Sequence, residues 1–194
     1  IMKMNTPTLP PSKLPEVGTT IFTAMSALAS EHGALNVAQG FPDLSPPTNL
    51  KEAVKKAIDE GYNQYAPMAG DPGLRAWISE MYNQEHGALY NPDSEITIGA
   101  GASSLLFASI QALVFPGDEV IIVDPAYDLY APAVHLAGGV IARAALPKPS
   151  SLGGPGGAID AEVIRSLISD KTKLVIINAP HNPTGACFTS EGLN

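Results

Sequence analysis

Residues 174–177 read Leu174-Val175-Ile176-Ile177, four apolar residues with no polar interruption. A run of this kind is typical of a strand that is buried on both faces of a parallel sheet. Further strands are predicted at residues 96–98, 119–123 and 140–145. Helical patterns separate these runs, at residues 102–114, 128–137 and 160–168. Because strands and helices alternate along the chain, the sequence predicts an α/β fold with a largely parallel sheet.

A helix with clear start and stop signals precedes these elements. Asp71 is a residue type that caps helix N-termini, and Pro72 suits the first helical position. Gly87 can adopt the left-handed conformation that often ends a helix. Between these signals, apolar residues recur at helical spacing. They predict a buried stripe formed by Leu74, Trp77, Ile78 and Met81.

The composition excludes several classes of protein. The chain has 194 residues, of which 45% are hydrophobic and 15% charged, so a packed core is expected. No apolar run approaches the ~20 residues that span a bilayer, so no membrane segment is predicted. With 11 Lys and Arg against 19 Asp and Glu, the net charge is −8. An acidic chain without a basic stripe is not expected to bind nucleic acid.

Cysteine and histidine positions bear on the compartment and on metal binding. The single cysteine, Cys187, cannot form an internal disulfide, which favours a reducing, cytoplasmic location. Its side chain is expected to be buried and inert. The four histidines do not lie with Cys187 or with carboxylates at the spacing of metal ligands, so no metal site is predicted.

The ends of three predicted strands carry unusual residues, and ligands of open α/β sheets bind beyond the carboxyl ends of strands. Gly101, Ala102 and Ser103 follow the strand at 96–98 and open a helix. Their backbone N–H groups and the Ser103 hydroxyl could bind an anion at the helix N-terminus. The same residues would equally suit a tight strand-to-helix turn that Ser103 caps.

The other two strand ends carry an aromatic ring and an amide. Tyr127 follows the strand at 119–123 and could stack on a flat ligand, although an aromatic residue in such a loop can also serve packing alone. Asn182 follows the strand at 174–177, in a turn that contains two prolines. The turn could fix the Asn182 amide as a donor, or it could be a turn and nothing more.

Seven motifs occur in one order along the chain. They are Asn36-Val37-Ala38-Gln39-Gly40-Phe41-Pro42-Asp43, Asn63-Gln64-Tyr65, Gly70-Asp71-Pro72-Gly73-Leu74-Arg75, Gly101-Ala102-Ser103, Pro116-Gly117-Asp118-Glu119-Val120, Asp124-Pro125-Ala126-Tyr127-Asp128-Leu129-Tyr130 and Pro180-His181-Asn182-Pro183-Thr184-Gly185. In this order the motifs resemble the fold type I, class I pyridoxal-phosphate (PLP) aminotransferases. The resemblance is strongest to the branch of methionine and kynurenine aminotransferases, and it covers the chain from about Leu14 to Asn194.

The resemblance implies a role for each of the three strand ends. Gly101, Ala102 and Ser103 would bind the phosphate of pyridoxal 5'-phosphate. Tyr127 would stack on the pyridine ring of the cofactor. Asn182 would donate to the phenolic oxygen of the cofactor and help to hold the substrate carboxylate.

Two further residues have implied roles outside these strand ends. Gly40 would contact the substrate carboxylate through its backbone, where a side chain would obstruct. Tyr65 would reach the cofactor phosphate of the neighbouring subunit. The resemblance therefore implies a homodimer with shared active sites, acting on an amino acid and a 2-oxo acid.

The resemblance also implies a fold and a domain plan. The expected fold is the N-terminal half of a three-layer α/β/α large domain with a mainly parallel sheet. Residues 1–47 would form an N-terminal arm and a segment of the small domain, and residues 48–194 the first part of the PLP-binding large domain. None of the lysines matches the position of the family's Schiff-base lysine, which is expected beyond Asn194. No catalytic residue is therefore expected in this chain, which alone should be inactive.

Three functions are compatible with these residues. The first is an aminotransferase that takes its amino group from an amino acid of methionine, kynurenine, aromatic or glutamine type. The second is a cysteine-conjugate β-lyase, which shares every residue named above. The third is a non-catalytic remnant that serves as a binding or dimerisation module. Release of pyruvate and ammonia without need for a 2-oxo acid would identify the lyase.

Overall fold

The computed structural model describes residues 11–40, 42, 44–146 and 160–187. Two compact units divide the chain: Ile21–Ala102 form one unit, and the residues before Ile21 and from Ser103 onward form the other. The elements are α1 (Ile21–Glu31), α2 (Thr48–Asp59), α3 (Pro72–His86), α4 (Ala102–Leu113), β1 (Glu119–Asp124), α5 (Tyr130–Leu136), β2 (Val140–Ala145), α6 (Ala161–Ser166) and β3 (Thr172–Ile176).

The sheet has three parallel strands in the order β2-β1-β3. Val120 of β1 pairs with Ile141 on one side and with Leu174 on the other. The predicted α/β fold with a parallel sheet is confirmed. The strand that is buried on both faces is β1, and β3, for which this was predicted, is half-buried. β1 is the central strand, under the helices of both faces, whereas β3 is an edge strand of the described sheet and leaves its side chains partly exposed on its outer side.

Alternate side chains of β1 pack against helices on opposite faces of the sheet. Val120 and Ile122 lie in one cluster with residues of α4 and α5. Ile121 and Val123 lie in a second cluster with Ile164 of α6. Because side chains alternate along a strand with a period of two, these clusters place helices on both faces. The expected three layers, α/β/α, are therefore present in this unit.

In the other unit, α3 begins and ends at the predicted residues. The Asp71 carboxylate accepts a hydrogen bond from the Leu74 N–H at 2.9 Å, and Pro72 is the first helical residue. Gly87 ends the helix with φ +65°, a left-handed conformation. The side-chain cap satisfies an N–H group of the first turn, which has no partner within the helix.

The predicted buried stripe of α3 is wrong for two of its four residues. Leu74 and Trp77 are 42% and 59% exposed, whereas Ile78 and Met81 are half-buried. The buried residues of α3 are Arg75 and Ser79. Their side chains donate to backbone carbonyls of the segment that follows the helix, which therefore packs on the polar side of α3. Apolar periodicity alone could not reveal this polar contact.

The predicted strand at residues 96–98 is also wrong, since these residues belong to none of the strands of the described chain. The Ile98 N–H donates to the Ala69 carbonyl at 3.0 Å. Its backbone is therefore bonded to a loop rather than to a neighbouring strand.

Candidate functional site

Two loops leave the same edge of the sheet. Because β1 and β3 are adjacent and parallel, their carboxyl ends lie side by side. The loop after β1 carries Tyr127, and the loop after β3 carries Asn182. α4 packs on β1, and a short turn joins the end of α4 to the amino end of β1. The helix is therefore antiparallel to the strand, and Ser103, in its first turn, lies toward the carboxyl edge of the sheet. This edge is the candidate site.

The start of α4 has the local structure that an anion requires. Gly101 has φ +89°, a conformation that favours glycine, and no other atom of the described chain lies within 4 Å of the position a Cβ would take. The helix begins at Ala102, and Ser103 is exposed in its first turn. The first-turn N–H groups of a helix point along its axis and attract negative charge. The Gly101 N–H, just before the helix, donates to the Gly99 carbonyl at 2.9 Å. A phosphate group fits this arrangement of backbone and hydroxyl.

The end of β1 is tied to β2 by an ion pair that the sequence analysis missed. Arg143 Nη1 lies 2.8 Å from Asp124 Oδ1 and 2.9 Å from Asp124 Oδ2. The Leu146 N–H also donates to the Asp124 carbonyl at 2.9 Å. Opposite charges near the ends of two predicted strands were a signal, but only the strand order shows that these strands are neighbours.

Tyr127 is half-buried and packs against a second tyrosine. Its ring centroid lies 5.8 Å from that of Tyr130, with an angle of 71° between the ring planes. Tyr130 is buried, and burial together with the nearby Tyr127 raises the pKa of its hydroxyl. The packing role foreseen for Tyr127 is thus present, and its stacking role stays a prediction.

Asn182 lies in a turn closed by backbone hydrogen bonds. The Gly185 N–H donates to the His181 carbonyl at 2.6 Å, and the His181 N–H donates to the Ala186 carbonyl at 2.7 Å. The Asn182 N–H donates to Asn178 Oδ1 at 2.8 Å. Asn182 is exposed, so a fixed backbone presents its side chain to solvent at the carboxyl edge.

His181 holds this turn from inside, a role that the sequence analysis did not assign. His181 is 4% exposed, and its Nδ1 lies 2.8 Å from Thr184 Oγ1. Thr184 Oγ1 also accepts from the Ala186 N–H at 3.2 Å. The hydroxyl three residues after His181 was a possible signal. His181 and Ala186 are buried, but Cys187 is exposed, so the prediction that it is buried is wrong.

Gly40 and Tyr65 lie in the unit formed by Ile21–Ala102. Within the described chain, nothing lies within 4 Å of the position of a Cβ at Gly40. Tyr65 is fully exposed. Both residues are accessible to a ligand or a neighbouring subunit, and their predicted roles stay predictions.

The described residues contain no group of three or more His, Cys, Asp or Glu side chains that could hold a metal ion. Among their helices, none is both long and apolar enough to cross a membrane.

The chain matches a known family over most of its length. A sequence profile of the family "Aminotransferase class I and II" matches residues 33–194. The chain therefore belongs to the class I and II aminotransferase family.

Individual relatives agree with this assignment. Methionine aminotransferase of Escherichia coli (strain K12) is 48% identical over 184 residues, which are 95% of this chain and 46% of the relative. Kynurenine--oxoglutarate transaminase of Dictyostelium discoideum is 36% identical over 204 residues, covering 100% of this chain and 47% of the relative. The chain spans about half the length of these curated relatives.

A solved structure supports the fold. The crystal structure of an Escherichia coli protein identified as having a methionine aminotransferase function matches with a TM-score of 0.86 and 45% identity. The match covers 96% of this chain and 47% of that chain. The α/β fold with its parallel sheet is thus that of the large domain of fold type I aminotransferases, as predicted.

Proposed function

We propose that the protein to which this chain belongs is a PLP-dependent aminotransferase that moves an amino group from an amino acid to a 2-oxo acid. Family membership is the observation that carries the proposal. The expected donors are methionine, kynurenine, aromatic amino acids or glutamine. Support for this class comes from the methionine and kynurenine aminotransferases among the relatives.

The start of α4 would hold the cofactor phosphate. The N–H group of Ala102 and the hydroxyl of Ser103 would donate to its oxygens at the positive end of the helix. The N–H group of Gly101, which donates to the Gly99 carbonyl at 2.9 Å, would exchange that bond for one to the phosphate. The positive φ of Gly101 supports this role, because a side chain there would be strained and would narrow the approach. When bound, PLP would supply an electron sink for negative charge at the substrate Cα.

Tyr127 and Asn182 would orient the ring and the substrate. Tyr127, held by its contact with Tyr130, would cover one face of the pyridine ring. Asn182 would donate from its side-chain amide to the phenolic oxygen and to the substrate carboxylate. The His181–Thr184 contact supports this role, because it fixes the turn before any ligand arrives.

The remaining roles concern the whole protein. Gly40 would meet the substrate carboxylate through its backbone, and the exposed Tyr65 would reach the phosphate site of the neighbouring subunit in a homodimer. We place the small-domain segment at residues 1–47 and the large domain from residue 48. None of the lysines of this chain matches the family's Schiff-base position, and we expect a cytoplasmic location.

The visible absorption spectrum of the full-length protein tests this function. Added PLP should give a band that differs from that of free PLP, and methionine should shift it. Addition of a 2-oxo acid should reverse the shift, with formation of the corresponding amino acid. Release of pyruvate and ammonia from a cysteine conjugate, without need for a 2-oxo acid, would instead identify a β-lyase. A spectrum of free PLP alone would contradict both activities.

A further inference from the structure

Gly70 lies against Ile98 so closely that no side chain fits between them. A Cβ built at Gly70 would lie 2.5 Å from Ile98 Cβ and 2.6 Å from Ile98 Cγ1. A different Ile98 rotamer would move Cγ1 but not Cβ, which is bonded to the backbone, so the Ile98 backbone itself would have to shift. Gly70 is buried and has φ +98°, where a side chain is also strained.

This contact joins two segments to which the proposed function assigns phosphate contacts. The first segment, residues 65–70, contains Tyr65 and ends at Gly70. The second contains Ile98 and continues to Gly101, three residues later. The Ile98 N–H donates to the Ala69 carbonyl at 3.0 Å, so the two backbones are bonded at the point of contact. A displacement of Ile98 would therefore move the start of the phosphate-binding segment.

The buried side chain of Arg75 links Gly70 to the turn around Pro92, which precedes Ile98 in the chain. Its Nε donates to the Gly70 carbonyl at 3.3 Å. Its Nη1 donates to the Pro92 carbonyl and lies 3.3 Å from Asp93 Oδ1. Arg75 is 7% exposed. The planar guanidinium thus joins Gly70 to the turn that precedes Ile98, and together with the Ile98–Ala69 backbone bond it restrains the separation of the two segments.

We propose that Gly70 is a positioning residue for the cofactor phosphate, which acts by letting Ile98 approach and so sets the position of residues 99–102. The inference rests on the proposed function, since it concerns the phosphate of PLP. Gly70 touches neither cofactor nor substrate in this proposal. Its effect on binding should therefore depend on the phosphate group and on Ile98.

The test compares Gly70→Ala with Gly61→Ala in the full-length protein. Both glycines have a positive φ, +98° and +90°, so both substitutions strain the backbone. Nothing in the described chain lies within 4 Å of a Cβ at Gly61, so only Gly70→Ala displaces Ile98. Titration of the apoenzyme should show PLP binding weakened about tenfold more by Gly70→Ala than by Gly61→Ala. Affinity for pyridoxal, which lacks the phosphate, should be equal in the two variants.

A double-mutant cycle tests the dependence on Ile98. Ile98→Gly removes both atoms that the new Cβ would meet, and leaves Ile98 Cα at an acceptable 3.5 Å. In this background, Gly70→Ala should cause no phosphate-specific loss of affinity. Arg75→Lys is a second variant, which keeps the charge but loses the planar fork, and it too should weaken PLP more than pyridoxal.

Each outcome is decisive. If wild-type protein binds no PLP, the proposed function fails and this inference fails with it. If wild-type protein binds PLP but Gly70→Ala and Gly61→Ala lower its affinity equally, only the inference is overturned. Equal losses of PLP and pyridoxal, or an undiminished loss in the Ile98→Gly background, would also overturn it, since they would indicate general destabilisation.

Discussion

The pKa of Tyr130 depends on its surroundings in the folded protein. Tyr130 is buried as a residue at the start of α5, and partial desolvation, with Tyr127 as the second cause, raises the pKa of its hydroxyl above the usual 10.0. The folded protein therefore holds this proton to a higher pH than the unfolded chain. The resulting stability is fully present below about pH 10 and is lost as the pH rises through the raised pKa.

Tyr130→Phe should therefore reduce the loss of stability at alkaline pH. Phenylalanine keeps the ring but has no proton to release, so the variant should lose less free energy of unfolding than wild-type protein above about pH 10. Urea unfolding at neutral and alkaline pH measures the difference. Tyr62→Phe, at a position that is 78% exposed, is the control and should follow the wild type. Parallel pH curves for wild type and Tyr130→Phe would refute the prediction.

At the residue scale, the sequence could predict those features of the candidate site that depend on neighbouring residues in the chain. Gly101 and Asn182 stand out because turn chemistry is local, and the structure places both in turns. The Asp124–Arg143 pair depends on which strands are neighbours. The contact of Gly70 with Ile98 joins residues 28 positions apart, and no local pattern marks it.

At the scale of elements, capping predicts measurable stability. Asp71→Ala removes the acceptor for the Leu74 N–H and should lower the free energy of unfolding by about 1 kcal/mol. Asp71→Asn keeps a side-chain oxygen in place and serves as the control, with an expected loss of only about 0.3 kcal/mol in the free energy of unfolding. Urea unfolding of the full-length protein measures both. An equal loss in the two variants would show that the cap is not responsible.

Gly139 lies between α5 and β2 and packs closely against Val114, the residue that follows α4, and against Val134 of α5. A Cβ there would lie 2.7 Å from Val114 Cγ1 and 2.9 Å from Val134 Cγ1. Gly139→Ala should therefore destabilise the protein by about 1–3 kcal/mol through overpacking. Gly18→Ala is the matched control, because nothing in the described chain lies within 4 Å of its Cβ and neither glycine has a positive φ. A similar unfolding midpoint for both variants would argue against the close packing.

Elements were predictable where their signals are local. Start and stop residues located α3, and continuous apolar runs located β1 and β3. Residues 96–98 have a strand-like composition, but a strand also needs a partner, and Ile98 bonds to Ala69 instead. The exposure of Trp77 has the same kind of cause, because burial depends on what packs against the helix.

At the scale of the whole molecule, the unit formed by Ile21–Ala102 exposes large apolar side chains. Leu50, Val54 and Ile58 lie on one side of α2 and are 54%, 54% and 55% exposed. Tyr65 is fully exposed in the same unit. Exposed apolar surface of this kind is typical of sites of interaction. In the proposed homodimer, Tyr65 of each subunit would complete the site of the other.

A mixed dimer of two defective variants tests whether the sites are shared. Tyr65→Ala and Asn182→Ala should each abolish most activity as homodimers. In a mixed dimer, one site would combine the intact Asn182 of the first subunit with the intact Tyr65 of the second, while the other site would carry both defects. Because one of two equivalent sites is complete, the purified mixed dimer should have about half the activity of the wild type. If Tyr65 instead serves its own subunit, every site carries one defect and the mixed dimer stays as inactive as its parents.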